Sequence, residues 1–345
     1  KPTRLNVGVY YAPYAISDPS MLPSDSWLWQ PKPEQVAAYD FSVLQTSADF
    51  PSQELCDKIK QLNPEHRIIL RLPCVRGCIP LYWHEPLYRD GFMDYYNSVI
   101  DRAGRENVYA ASIGEEETGN FMGGLWWTDT PPDWVAMYKQ PFERETGTTL
   151  TWQNAVCGNA EYLEWMKPRI RFFFNDVYDR LKSRWPDLPV LQYLALKGDG
   201  SEIAWHEPGE IKADGWVYWG FHRQKAPVLV RCQVAGEDRP VVVWMYRDRM
   251  FQGLQRIRNS GVDNEMTFHC GFAHEAEGAY YDVLEQMRML REMGYRNSFM
   301  FYPTGAFLEP TDCRDPAKVG EMEQGDYKMW RERRLRVLQA ARGEG

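Results

Sequence analysis

The chain has few of the features that mark a membrane-spanning, nucleotide-binding or nucleic-acid-binding protein. No apolar stretch reaches the ~20 residues that a membrane-spanning helix needs. No glycine-rich loop of the P-loop or dinucleotide-binding type occurs either. The formal net charge is −8 over 345 residues, whereas phosphate binding needs a concentrated basic surface. These absences argue against a membrane, a nucleotide cofactor and a nucleic-acid partner.

Cysteine and histidine are sparse, with seven Cys and six His in irregular positions. An odd, irregular set of cysteines forms no disulfide framework, although Cys74 and Cys78 are close enough for a local disulfide or two free thiols. No His-x-His motif occurs in the first predicted strand, so we expect no metal and no cofactor. The alternative is a metal-dependent barrel hydrolase, with ligands from His206, His222, His269 and His274.

Aromatic residues, by contrast, are abundant. The chain has 14 Trp and 20 Tyr, many of them in segments without helix or strand periodicity. A flat ring offers a face to the C–H surface of a sugar, and Tyr and Trp add a polar edge. Packing in the core is an equally good interpretation of any one ring, but the whole set favours a carbohydrate partner. Trp residues in such segments are Trp27, Trp29, Trp83, Trp126, Trp127, Trp134 and Trp205.

Short β-rich runs alternate with helical patterns, which predicts parallel βαβ units. The runs cover residues 5–11, 41–46, 67–72, 108–114, 190–195, 215–220, 241–246 and 298–302. Eight such strands would close a (β/α)8 barrel, but residues 266–270 form a ninth candidate. Either 241–246 or 266–270 is therefore the seventh strand, and the other belongs to an elaborated loop.

Helical patterns are clearest in residues 52–62, 159–184 and 278–293. Pro168 is expected to kink or restart the second of these helices, and Gly294 to end the third. No repeat or linker divides the sequence, so we expect one catalytic domain over residues 1–345. Residues 118–158 are too many for a βα loop and predict an insertion that is functional or holds small helices. No leader precedes the first predicted strand, which leaves a secreted, periplasmic or cytoplasmic location open.

The strongest chemical pattern is Glu115-Glu116-Glu117 after the fourth strand, at the barrel end that carries active sites. Adjacent carboxylates repel each other, which raises at least one pKa, as a general acid near neutral pH requires. The strand period places Val108, Ala110, Ser112, Gly114 and Glu116 on one side, interpreted as the barrel interior, and Tyr109, Ala111, Ile113, Glu115 and Glu117 on the other. Glu116 is the first choice, with Glu115 and Glu117 as alternates. A solvated acidic turn or a cation site is the non-catalytic interpretation.

The stretch after these glutamates contains Pro131-Pro132-Asp133-Trp134, then residues 142–147 and 152–154, a long helix and Pro189-Val190-Leu191. Over residues 108–195 this order resembles the retaining (β/α)8 glycoside hydrolases, in particular their β-galactosidase-like group. The resemblance implies that Glu116 is the acid/base residue. Glu115 stands where that group has Asn, which normally hydrogen-bonds a sugar hydroxyl, so ordinary β-galactosidase specificity is not expected.

The same resemblance implies a nucleophile at the end of the seventh strand. If 266–270 is that strand, Glu275 is the candidate, with Glu277 close behind. If 241–246 is that strand, Asp248 is the candidate. We favour Glu275. The other interpretation is that Glu275 and Glu277 cap the helix that begins near Gly278.

The sequence thus predicts that Glu116 protonates the leaving oxygen of a glycosidic bond while Glu275 attacks the anomeric carbon, with retention. A non-catalytic carbohydrate-binding barrel is an alternative that needs no carboxylate pair. The sugar, the linkage and the oligomeric state are left open, although Arg71 or Arg247 could meet an acidic sugar. Substrate contacts are expected from Tyr11, Tyr14, Gln45, Arg71, Trp126, Trp127, Trp219, His222, Trp244, Tyr246, His269 and Tyr302.

Overall fold

The structure, a computed structural model, describes residues 4–11, 33–47, 49–72, 83–114, 135–151, 159–195, 209–219, 228–234, 237–243, 247–272, 287 and 290–301. The strands are β1 (Asn6–Tyr11), β2 (Phe41–Gln45), β3 (Arg67–Leu72), β4 (Val108–Ile113), β5 (Val190–Ala195), β6 (Gly215–Trp219), β7 (Val228–Val234), β8 (Glu237–Val243), β9 (Thr267–Phe272) and β10 (Asn297–Phe301). The helices are α1 (Pro33–Ala37), α2 (Gln53–Leu62), α3 (Pro86–Ala103), α4 (Gln140–Thr146), α5 (Ala160–Arg184) and α6 (Arg247–Asn259).

Eight of the strands form a closed barrel in the order β1-β2-β3-β4-β5-β6-β9-β10, with β10 returning to β1. Every neighbouring pair in this ring is parallel. Helices follow or precede the strands along the chain, so the protein is a (β/α)8 barrel and the predicted fold class is confirmed. The predicted strands 67–72 and 190–195 match β3 and β5 at both ends.

The seventh strand of the barrel is β9, which pairs with β6 on one side and β10 on the other. The prediction that 266–270 is a barrel strand is therefore confirmed, and the alternative, that 241–246 is the seventh strand, is wrong. Residues up to Val243 instead pair antiparallel with β7 in a separate two-stranded sheet. This sheet lies in the connection between β6 and α6, so it is an elaboration of the sixth βα loop.

Alternate residues of the strands pack into an inner and an outer layer. The inner layer contains Tyr10, Phe41, Val43, Ile69, Ala110, Leu191, Tyr193, Val217, Phe268 and Phe299. The outer layer, between strands and helices, contains residues such as Val7, Leu44 and Trp216. Gly8 shares the inner face of β1 with Tyr10, and the ring of Phe41 fills the space beside it. A β-carbon at residue 8 would lie 2.3 Å from Cε2 of Phe41.

Asn297 joins four strands at the amino-terminal end of the barrel. Its Oδ1 accepts hydrogen bonds from Asn6 Nδ2 at 3.0 Å and from Arg67 Nη2 at 2.6 Å. Its Nδ2 donates to the backbone oxygens of Glu265 and Thr267. The Arg67 guanidinium also lies 5.2 to 5.6 Å from the ring centroids of Phe41, Tyr109 and Phe268. This arginine therefore closes the lower end of the barrel, where three aromatic faces and one amide oxygen stabilise its charge.

The helices agree with the sequence-based expectations at most of their ends. Ser52 and Asn159 cap α2 and α5 by accepting hydrogen bonds from the backbone N–H groups of Leu55 and Tyr162. The helix α5 continues past Pro168 and does not restart there. Gly294 has a φ of 84°, as expected of a residue that ends a helix in the left-handed region. Within the described ranges, no helix is both long and apolar enough to cross a membrane.

Within the predicted insertion, residues 135–146 are helical and pack on α5. A short π-helix (Val135–Lys139) leads directly into α4. Phe142 of α4 lies edge-on to Tyr162 and Trp165, with centroid distances of 5.7 and 5.6 Å. The insertion therefore holds small helices, as its length suggested, and part of it is anchored on the barrel's outer layer.

We expect Gly8→Ala to destabilise the protein by about 1–3 kcal/mol, because the new methyl group overlaps a ring held between Phe268 and Phe299. Gly91→Ala is the matched control, since no atom lies within 4 Å of its added β-carbon. Gly91 lies inside α3, so Ala should stabilise it by about 0.5–1 kcal/mol. Urea unfolding of both variants measures the difference. Equal effects of the two substitutions would contradict the close Gly8–Phe41 packing.

Candidate active site

The carboxyl ends of all eight barrel strands lie at one mouth because the strands are parallel. The inward side chains nearest this mouth are largely polar. Those that the structure describes are Tyr10, Gln45, Arg71, Ser112 and Tyr193, and all of them are buried. They form the floor of the candidate active site, at the strand ends from which the segments with the predicted catalytic residues leave.

Three of these floor residues form one hydrogen-bonded chain across β1, β2 and β3. Arg71 Nη1 donates to the hydroxyl oxygen of Tyr10 at 2.8 Å, and the Tyr10 hydroxyl donates to Gln45 Oε1. The guanidinium carbon of Arg71 lies 6.0 Å from the centre of the Tyr10 ring. A guanidinium held in this way has a fixed orientation, because its partner is itself held by a third residue.

The backbone around these three hydrogen-bonded residues is fixed by additional hydrogen bonds. The residue after Gln45, Thr46, donates from both its N–H and its hydroxyl to the backbone oxygen of Arg71, at 3.1 and 2.9 Å. Arg102 of α3 donates to the backbone oxygens of Ser47 and Phe50 in the following loop. The polar floor is therefore built on rigid elements, as a binding site with defined geometry requires.

The structure brings Gln45 and Arg71 together, two residues that the sequence analysis proposed as substrate contacts. Tyr10 was not predicted; the adjacent Tyr11 was proposed instead. The signal for Tyr10 lies in the period of β1, because Gly8 and Tyr10 share the inner face while Val7 and Val9 belong to the outer layer. The side chain of Tyr11 lies outside the described part of the structure.

On β4 the predicted inner and outer faces are correct for the residues after a bulge and wrong for those before it. Ala110 lies in the inner layer as predicted, whereas Val108 packs in the outer layer and Tyr109 packs against the inner one. The cause is a register shift: Ile68 pairs with Val108, but its neighbour Ile69 pairs with Ala110. A bulge of this kind places two consecutive residues on one face.

The strand period does not extend to the three glutamates. β4 ends at Ile113, and Gly114 has a φ of 86°, which is a turn conformation and not an extended one. Alternation between inner and outer faces therefore stops before residue 115. Glu115, Glu116 and Glu117 lie outside the described residues, and the choice of Glu116 among them stays a prediction.

The predicted nucleophile, Glu275, likewise lies beyond the end of its strand and stays a prediction. β9 ends at Phe272, three positions before Glu275, and both Glu275 and Glu277 lie outside the described residues. Asp248 was proposed only on the condition that 241–246 is a barrel strand, and that condition is not met. It is the second residue of α6, which follows the β7–β8 hairpin.

His269 lies on the outer layer of the barrel and not among the floor residues. Phe268 is in the inner layer, whereas His269 is fully buried beside the outer-layer Tyr218, at a centroid distance of 5.5 Å. Neither ring nitrogen has a hydrogen-bond partner in the described part of the chain. Burial lowers its pKa to about 3, so the imidazole is neutral at physiological pH. This position does not favour the predicted direct contact with a substrate in the mouth.

Trp83 shows that some of the aromatic residues assigned to sugar binding belong to the core. It is fully buried, lies edge-on to Phe173 at 4.9 Å and donates its indole N–H to Asp176 at 2.8 Å. For this residue the packing interpretation is correct. Trp219 ends β6, two residues after the inner-layer Val217, and its side chain is not described. The other proposed substrate contacts, which lie outside the described residues, are Tyr14, Trp126, Trp127, His222, Trp244, Tyr246 and Tyr302.

An alternative role for the histidines is to bind a metal ion. In the ranges that the structure describes, no three His, Cys, Asp or Glu side chains come together as ligands. Of the four histidines considered, His269 alone is described, and it lies in the outer layer. His206, His222 and His274 lie outside the described residues.

Comparison with known proteins gives no match by sequence and distant matches among solved structures. No protein-family model matches the chain, and no curated protein matches it. Among solved structures, a variant of the glycoside hydrolase domain of PelA from Pseudomonas aeruginosa is 13% identical, with a TM-score of 0.42 over 87% of this chain and 96% of that one. A class V chitinase mutant from Cycas revoluta is 10% identical, with a TM-score of 0.44 over 94% and 99%. The Bacillus cereus spore cortex-lytic enzyme SleL is 7% identical, with a TM-score of 0.46 over 96% and 75%.

These structural neighbours are glycoside hydrolases, but a D-psicose 3-epimerase also matches. The same barrel supports many unrelated chemistries. At identities of 7–13% and with these TM-scores the likeness carries no conclusion on function, which has to rest on the residues at the mouth.

Stability should fall as the pH is lowered, because two buried histidines have lowered pKa values. Burial lowers the pKa of His66 to about 4 and that of His269 to about 3, from an ordinary value of 6.5. As the pH falls from 6.5 towards these lowered pKa values, the histidines of the unfolded chain take up protons that those of the folded chain do not, which favours unfolding. Each histidine contributes a slope of about 1.4 kcal/mol per pH unit between pH 6 and 4.

The variant His269→Leu should therefore show a shallower loss of stability over that pH range than the unsubstituted protein. His84→Gln, which removes a histidine whose side chain is 64% exposed, is the control and should leave the slope unchanged. Urea unfolding at several pH values measures the slope. An unchanged slope in His269→Leu would show that His269 is not a buried neutral group.

Proposed function

We propose that the protein is a glycoside hydrolase that uses two carboxylates, Glu116 as the general acid and Glu275 as the nucleophile, with retention of anomeric configuration. The observation that carries the proposal is the strand order. With β9 as the seventh barrel strand, the segments that hold Glu116 and Glu275 leave the carboxyl ends of the fourth and seventh strands. Both segments thus begin at the one mouth where barrel enzymes have their active sites.

The chemistry of the floor supports the same conclusion. The rigid floor offers a hydroxyl, an amide and a guanidinium group, from Tyr10, Gln45 and Arg71, and such groups suit recognition of sugar hydroxyls. The nearby run of three glutamates supplies carboxylates whose mutual repulsion raises a pKa, as the acid requires. A retaining reaction further requires the two carboxyl groups to lie about 5–5.5 Å apart, whereas inversion leaves about 6.5–9.5 Å for a water molecule.

Glu116→Gln is expected to reduce hydrolysis of a glycoside with a poor leaving group, such as a methyl glycoside, by about 10²–10⁴-fold. The physical reason is that an alkoxide leaves only when it is protonated, whereas a dinitrophenolate needs no acid. Initial rates on a panel of alkyl and dinitrophenyl glycosides measure both cases. Glu54→Gln, which neutralises an exposed carboxylate on α2, is the control and should retain full activity on both. Near-normal activity of Glu116→Gln on the methyl glycoside would move the acid to Glu115 or Glu117.

Glu275→Ala should abolish turnover even of dinitrophenyl glycosides, because no covalent intermediate can form without the nucleophile. Azide should restore activity by attacking the anomeric carbon in place of the carboxylate, and the glycosyl azide should have the inverted configuration. NMR of the product determines its configuration. Rescue in Glu277→Ala with none in Glu275→Ala would reassign the nucleophile. Inverted sugar released by the unsubstituted enzyme would exclude the retaining mechanism.

A further inference from the structure

A row of three polar side chains crosses the floor of the barrel on β2, β3 and β4. Gln45 pairs in register with Arg71, and Arg71 pairs in register with Ser112. Alternation along each strand directs all three side chains inward, because the residues two positions earlier belong to the inner layer. The three residues are only 1 to 2% exposed. The row therefore lies where a ligand in the mouth would meet the interior of the barrel.

The two end members of this row keep hydrogen-bonding capacity that the described part of the protein does not use. Neither the Ser112 hydroxyl nor Nε2 of Gln45 has a hydrogen-bond partner among the described residues. A polar group that is buried without a partner costs free energy, so groups of this kind normally have one. Because both groups lie at the mouth, a ligand bound there is in position to supply the partners.

The direction of the hydrogen bonds determines which kind of partner Gln45 takes. An arginine side chain has donors and no acceptor. The Tyr10 hydroxyl therefore accepts from Arg71 and donates its single hydrogen to Oε1 of Gln45. The amide is thus oriented with its oxygen towards Tyr10, and Nε2 is left with two N–H donors. Gln45 requires a hydrogen-bond acceptor, whereas the Ser112 hydroxyl can either donate or accept.

The separation of the two residues suits a single sugar ring. Neighbouring strands lie about 4.8 Å apart, so the backbones at Gln45 and Ser112, two strands apart, are separated by about 10 Å. The side chains of a closed barrel converge on its interior, which brings the amide and the hydroxyl closer together than the backbones. Ser112 also lies four residues before Glu116, on the strand that leads to the proposed general acid.

We propose that Gln45 and Ser112 determine the specificity of the site for sugars with free hydroxyl groups at two ring positions, one on each side of Arg71. The inference rests on the proposed function for the location of the sugar. Gln45 donates to the oxygen of one hydroxyl group, and Ser112 forms a hydrogen bond with the other. A deoxy sugar leaves one of these buried groups without a partner, and a site built to bind a hydroxyl rejects such an analogue. Tyr10 is a positioning residue, because it orients the Gln45 amide.

Equilibrium binding of substituted sugars tests the proposal without requiring turnover. Ligand-observed NMR titrations first determine which methyl glycosides of glucose, galactose, mannose and xylose bind, and then compare their monodeoxy and monodeoxyfluoro derivatives. Loss of a contacted hydroxyl should weaken binding about 5- to 100-fold, because a buried polar group loses its partner. Fluorine accepts a weak hydrogen bond and donates none. The deoxyfluoro sugar at the position that Gln45 contacts should therefore bind more tightly than the deoxy sugar.

Two variants assign the contacts to individual residues. In Ser112→Ala one deoxy sugar should bind as tightly as its parent glycoside, because the group that distinguished them is absent. Gln45→Glu keeps an acceptor for Tyr10 but removes both N–H donors. The fluorinated sugar should then lose its advantage over the deoxy sugar, whereas a hydroxyl can donate to the new carboxylate. If Gln45→Glu fails to fold, Gln45→Met should reduce the parent glycoside to the affinity of its deoxy derivative.

Two control substitutions change the same residue types outside the floor. Ser42→Ala removes a buried serine on the outer face of β2, where it contacts His66. Gln255→Glu changes a glutamine of α6 that bonds to Asn259. Both controls should leave the ratio of parent to deoxy affinity unchanged, because neither side chain lies at the mouth.

The outcomes distinguish this inference from the proposed function. Equal weakening of all analogues in the Gln45 and Ser112 variants, or no weakening, overturns the inference and leaves the proposed function standing. Failure of every glycoside to bind also overturns it, and hydrolysis of 4-nitrophenyl glycosides then decides the proposed function separately. Discrimination through Gln45 and Ser112, with no hydrolysis of the matching 4-nitrophenyl glycoside, supports the inference and overturns the proposed function.

Discussion

The hydrogen-bond ladder between β1 and β10 is the constraint on which the rest of the structure depends. It pairs residues 6–9 with residues 297–300, which are separated by almost the whole described chain. Without it the parallel sheet would have two open edges, and its strands could not surround a common interior. Asn297 adds a side-chain component to this seam, because it joins β1, β3 and β9 at the same end. Closure therefore determines both the packed interior and the single mouth.

The interior becomes more polar from the centre of the barrel to the mouth. The middle is aromatic, because the Phe41 ring lies edge-on to both Phe268 and Phe299. The space that the Phe41 ring occupies excludes a side chain at residue 8. Above this layer the residues are Tyr10, Gln45 and Arg71, which bond to one another. Because these groups are buried, their electrostatic interactions are stronger than they would be in water. The polar floor is thus a consequence of closure, and it lies at the mouth where we propose that a polar ligand binds.

The outer layer shows where an abundance of aromatic residues leads to the wrong conclusion. Trp83 packs edge-on against Phe173 of α5 and donates its indole N–H to Asp176 of the same helix. Trp165 lies under Arg169, whose guanidinium carbon is 3.8 Å from the ring centre. His269 is a polar residue that the same layer buries without a hydrogen bond from the described residues. The residue types of Trp83 and His269 predicted a role in binding, but both side chains are buried in the outer layer of the core.

The sequence by itself determined seven of the barrel strands, the barrel that they help to form, the helices near residues 52–62 and 159–184, and the helix stop at Gly294. These features follow from local periodicity and local backbone chemistry, which a short window of residues contains. The sequence also identified Gln45 and Arg71 as residues at the mouth of the barrel, since the ends of strands can be recognised along the chain.

The tertiary structure decided which strand is the seventh, because residues 241–246 and 266–270 are equally β-rich and differ only in the strands they pair with. Two features of the sequence could have indicated a hairpin at 228–243: Pro240, which disfavours a central strand, and the two-residue connection between β7 and β8. The tertiary structure also decided which residues face inward on β4, where a bulge shifts the register, and that Tyr10 is the tyrosine of the polar floor. Pairing, register and bulges depend on residues far apart in sequence, so no local pattern could fix them.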